Sequence, residues 1–122
     1  MWTYRAKDVR VVDGDTIQAT VDLGFNIHHR IFVRLVGVNT PELRGGTQAS
    51  KAEAKVAKEF VQDWVNWATA NTLEVGELWP ITITTGKGRS FNRWVGTVRQ
   101  SHPNPEPAPS LNDMLRTEGW GA

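Results

Sequence analysis

The chain has no cysteine among its 122 residues. That excludes disulfides and thiolate metal centres and leaves oxygen and imidazole to hold any metal. Long apolar runs are missing too. The opening "MWTYRAKDVR" is charged from Arg5 onward and has no signal-peptide core, and no later segment approaches membrane-spanning length. A soluble, cytoplasmic protein without a membrane partner is expected. Net charge is only +1, so the chain as a whole exerts no strong pull on polyanions. The charge is uneven, however. Leu78 to Pro105 contains Lys87, Arg89, Arg93 and Arg99 and no acid, which reads either as a local basic face or as a solvated loop. Hydrophobic residues at 39% and charged residues at 22% make an ordinary globular balance. A chain of this length suits one compact domain, residues 1–122, expected as a monomer.

Hydrophobic periodicity orders the elements. "YRAKDVRVV" and "TIQATVDLG" read as strands, the second with Ile17, Ala19, Val21 and Leu23 on one face at period two. "HHRIFVRLVGV" is a third, with Ile31, Val33 and Leu35 alternating against Arg30, Phe32 and Arg34. From about Ser50 to Ala70 the period becomes helical, through Ala57, Phe60, Val61, Trp64, Val65 and Ala68. Ser50 and Glu53 form a candidate capping box there and Asn71 a stop. "WPITITT" and "RWVGTVRQ" supply two more strands joined through "GKGRSFN". The proline-rich "SHPNPEPAP" is an extended connection, and "SLNDMLRTEG" is a short helix capped by Ser110, packed through Leu111, Met114 and Leu115 and ended by Gly119. The expected class is α+β, mainly β: a five-stranded barrel of the OB type, with one helix between strands three and four and a short C-terminal helix.

Antiparallel pairing of the second and third strands about a turn centred on Ile27 places Asp15 beside Asn39. "DGDT" and "NTPE" then share one rim, where Asp13, Asp15, Asn39, the Thr40 carbonyl and Glu42 offer the oxygen donors of a hard-cation site. Taken alone, each motif is an ordinary turn. Arg34 lies near the same end, and "SFNRW" offers a second arginine. Two guanidiniums beside a cation and a carboxylate suit a phosphodiester, whose transition state gains negative charge while Glu42 activates or orients water. The competing reading is a structural Arg34–Glu42 ion pair. His28 and His29 read as a surface turn, since adjacent strand residues face opposite sides.

In order and spacing, "VVDGDT", "VRLVGVNTPE", "KAEAKVAKEFV", "FNRWVGTV" and "LNDMLRTEGWG" resemble the thermonuclease, or staphylococcal nuclease-like, family of OB-fold, calcium-dependent nucleases. The resemblance implies that Asp15 and Asn39 stand at metal-binding positions and that Thr40 offers its carbonyl to Ca2+. It also implies that Arg34, Glu42 and Arg93 are catalytic, and that the activity is hydrolysis of DNA and RNA to 3′-phosphate ends. Two departures touch the site. Asn39 stands where the family has an aspartate, which removes one ligand charge and is expected to weaken calcium binding to a Kd of roughly 0.1–1 mM. "SFNR" replaces Lys-Tyr-Gly-Arg, leaving Phe91, with Lys87 and Arg89, to hold substrate. Trp94 or Trp120 could stack on a base, although tryptophans in so small a domain more often pack in the core or at its rim. The alternative expectation is an OB-type module of the same kind that binds single-stranded DNA or RNA without cutting it.

Overall fold

The structure, a computed structural model, describes residues 2–42, 47–90, 93–101 and 108–121, with 86–90 and 93 described by backbone alone. The elements follow the chain as β1 (Trp2–Asp13), β2 (Thr16–Asp22), β3 (His28–Leu35), α1 (Gln48–Glu74), β4 (Ile81–Ser90), β5 (Arg93–Gln100) and α2 (Leu111–Leu115). The strands close a mixed barrel in the order β1-β2-β3-β5-β4. β3 and β5 run parallel and the other neighbours antiparallel. Closure follows from period two: Ile17, Ala19 and Val21 of β2 and Ile31, Val33 and Leu35 of β3 are all buried, and they meet Ile81, Ile83 and Val98 across the interior. The arginines of β3 lie off that face, as the alternation predicts. β1 bends at a register shift between Lys7 and Arg10, where Asp8 has a φ of 52°. Such a bulge tightens strand curvature. At Gly96 a Cβ would lie 3.0 Å from the Thr84 carbonyl oxygen and 3.1 Å from Ile83, so glycine is what allows the strands to approach there.

The β2–β3 register differs from the expected one. Thr16 lies opposite Arg34 and Asp22 opposite His28, so the turn centres on Phe25 rather than Ile27, and Asn39 falls beyond the ladder instead of beside Asp15. The reason is local. Gly24, Phe25 and Asn26 all take positive φ, and Asp22 accepts a 2.9 Å hydrogen bond from the Gly24 N–H. That bond, together with the Arg5 guanidinium, holds the Asp22 carboxyl below its usual pKa. Leu23 therefore leaves the strand, and His28 and His29 belong to β3 rather than to the turn.

Helix α1 is longer than its apolar pattern suggests. Thr47, not Ser50, is the N-cap and accepts from the Ser50 N–H. Asn71 does not stop the helix, because Thr72 is buried in it with its hydroxyl on the Ala68 carbonyl. Termination comes at Gly76, whose φ of 78° permits the left-handed cap. Ala54, Ala57, Val61, Trp64, Val65, Ala68 and Thr72 form the buried stripe. "GKGRS", expected as a connection, belongs to β4, and Ser90 pairs with Arg93. Ser110 caps α2 through the Asp113 N–H as expected, and Leu111 and Leu115 are fully buried. No helix among the described residues is long and apolar enough to cross a membrane.

Candidate functional site

Asp15 is 4% exposed although it sits in the tight turn between β1 and β2. The turn is pressed against the rest of the molecule: a Cβ on Gly14 would lie 2.7 Å from the Ala57 Cβ of α1 and 2.9 Å from the Thr40 side chain. A buried carboxylate needs compensation, and three groups give it. The Thr40 N–H donates to Asp15 Oδ2 at 3.2 Å, the Thr16 hydroxyl donates to Oδ1 at 3.1 Å, and the Arg34 guanidinium forms an ion pair with Oδ2. Arg34 Nη2 also donates to the Val38 carbonyl at 3.2 Å. "DGDT" and "NTPE" are thus brought to one rim, but by a side chain reaching past the ladder rather than by strand pairing. Arg34 is partnered by Asp15, and among the described residues no ion pair or hydrogen bond engages Glu42, which is exposed.

What holds "VGVNTPE" at the rim is the C-terminal segment. Asn112, completely buried, accepts from the Val98 N–H at 3.0 Å and donates to the Gly96 and Val36 carbonyls at 3.0 and 2.9 Å. Arg116 donates to the same Val36 carbonyl and pairs with Asp113; that contact and the Ser110 cap keep the Asp113 carboxyl below its ordinary pKa. A wide helical turn, Arg116–Trp120, follows α2. It brings the Trp120 carbonyl to the Asn39 N–H at 2.9 Å, and Val38 bridges Gly121. Trp120 itself packs edge-on to Phe60 and donates to Glu53, which is no capping partner because the helix starts from Thr47. Sequence reading passed over Asn112 and Arg116. The available signal was a polar residue directly beside the inward Leu111.

Of the remaining expected site residues, Asn39 is exposed on the rim next to buried Thr40. Asp13 is half-buried opposite Thr16. The backbone of Arg93 pairs with Phe32, two residues along from the Arg34–Val95 pair, so both arginine positions fall on neighbouring strands within one short stretch. Lys87 and Arg89 are described by backbone alone, in the distal part of β4, and Phe91 lies outside the described residues.

The donor set is all oxygen: the Asp15 carboxylate, the Thr40 carbonyl and the Asn39 amide, with Asp13 nearby. Such donors fit a hard divalent cation. Among the described residues the buried Thr40 hydroxyl has no hydrogen-bond partner, an unsatisfied polar atom of the kind that marks sites requiring explanation. The described residues contain no cluster of three His, Asp or Glu side chains at metal-binding separation, and Asp15 is already neutralised by Arg34. A cation here competes with an arginine. Comparison with models of known protein families and with curated proteins finds no match for this chain.

Proposed function

We propose that this chain is a calcium-dependent nuclease that hydrolyses phosphodiester bonds of single-stranded DNA or RNA, on a barrel of the OB type. The observation that carries the reading is the convergence of Asp15, Arg34 and the Thr40 backbone on one rim, with exposed Glu42 two residues beyond. Asp15, Asn39 and the Thr40 carbonyl would hold the calcium, whose charge, when bound, polarises the phosphoryl oxygens. Arg34 then turns from Asp15 to the phosphate, where its guanidinium matches two phosphoryl oxygens and stabilises the additional negative charge of the pentacoordinate state. Arg93 supplies a second positive charge from the neighbouring strand. Glu42, free of internal partners among the described residues, takes the proton of the attacking water as its oxygen bonds to phosphorus, and the bond to the 5′ oxygen breaks, that oxygen leaving with a proton from solvent.

The Arg34–Asp15 pair and the amide at position 39 favour one other reading, a nucleic-acid-binding module without turnover. Asn39→Asp separates the two. Restoring a ligand charge is expected to shift the calcium midpoint of single-stranded DNA cleavage to about tenfold lower metal. Salt-sensitive DNA binding without cleavage by either protein would select the binding module.

A further inference from the structure

At the end of the barrel where β2 finishes and β3 begins, the interior is not filled by the described residues. Each strand contributes an inward residue there, among them Tyr4, Val21, His29, Ile31, Thr85 and Trp94, and instead of meeting they line, with Leu23 of the turn, a cavity of about 250 Å³. Trp94 has the parity of a core position, two residues from the buried Gly96, yet it is 39% exposed. The wall is also incomplete. β5 begins opposite Phe32, so His28 to Ile31 have no β5 partner among the described residues, and the cavity borders that gap. Arg34 follows one residue beyond the Val33–Trp94 pair, on the outer face of β3.

We infer that this mouth is a nucleobase pocket, holding one base of a nucleic-acid strand. The inference rests on the proposed nuclease reading and deepens it. Four features carry it. The volume is below the roughly 300–1,000 Å³ of drug-sized sites, which suits a single ring system. The lining is apolar with indole, phenol and imidazole rings, surfaces on which any base stacks regardless of sequence. The Tyr4 hydroxyl and the His29 imidazole supply polar atoms for a base edge. Finally, Thr85 and Trp94 are the last described side chains before a β4–β5 tip whose sequence contains Lys87, Arg89 and Arg93 and no acid, a charge pattern complementary to a polyanion. An uncharged aliphatic ligand would gain nothing from that charge, and a second protein copy would bring its own like-charged tip.

The test compares binding of octathymidylate and of an abasic phosphodiester of the same length, in EDTA to prevent cleavage. The wild type is expected to bind the thymidylate at least tenfold more tightly. Trp94→Ala should abolish that difference and Trp94→Phe should retain most of it. His29 ring resonances of the wild type should shift on adding thymidylate. Equal affinity of wild type and Trp94→Ala for thymidylate, or unmoved His29 resonances, overturns the pocket while leaving the nuclease reading intact. A wild type that binds neither oligomer overturns the pocket, and one that cleaves no single-stranded DNA with calcium overturns the nuclease reading.

Discussion

Arg34→Ala should lower phosphodiester cleavage by about 10²–10³-fold, the loss seen when one preorganised charge donor is removed from a transition state. The same substitution should tighten calcium binding. In the folded protein Arg34 is the counter-cation of Asp15, and a divalent ion must replace it there. Removing the guanidinium leaves a 4% exposed carboxylate with only the Thr40 N–H and the Thr16 hydroxyl. An uncompensated buried charge is destabilising, and a cation that relieves it binds more tightly. The variant is therefore expected to melt below the wild type without metal and to recover more on adding calcium. Calorimetry should place its calcium affinity at least tenfold higher, about 1.4 kcal/mol. A variant with unchanged calcium affinity and unchanged cleavage would contradict both roles.

The second large effect lies away from the rim. Asn112→Asp keeps the size of the side chain and its acceptor for the Val98 N–H but replaces the amide donor facing the Gly96 and Val36 carbonyls. Acceptors then face acceptors in a fully buried place. With roughly 1–3 kcal/mol for each buried group left unsatisfied, the loss is about 2–5 kcal/mol, a large part of the roughly 5–15 kcal/mol by which small domains are stable. The urea midpoint should fall by about 1 M or more. A midpoint within a few tenths molar of the wild type would show that Asn112 does not tie α2 to β5.

These two residues mark how far the sequence could be read. Strand alternation identifies the inward Ile, Val and Leu of β2 and β3 and leaves Arg34 off that face, because side-chain direction follows directly from period two. The turn centres two residues before the position that alternation alone suggests, because Gly24, Phe25 and Asn26 take left-handed backbone that only Gly and Asn announce. That slip moved Asn39 away from Asp15 in the ladder. "DGDT" and "NTPE" nevertheless meet, since the Asp15 side chain spans the remaining distance to the Thr40 N–H. The Arg34–Asp15 pair was not legible: with acids in both "DGDT" and "NTPE" at the same rim, sequence alone gives no sign of which one the arginine will choose, and the nearer in sequence, Glu42, is not the one. Nor was the role of Asn112, since three backbone partners from β5 and the end of β3 come together only after the barrel closes. The open mouth at Trp94 was hidden for the same reason; its parity reads as core.

The most direct test of the central claim is the product formed from a single-stranded DNA oligomer across a calcium series from micromolar to about ten millimolar, a range set by a weak oxygen site, with EDTA as the control. The account predicts cleavage that rises with calcium through this range, stops in EDTA and leaves 3′-phosphate ends. Undiminished cleavage in EDTA, or none at any calcium concentration, would contradict it.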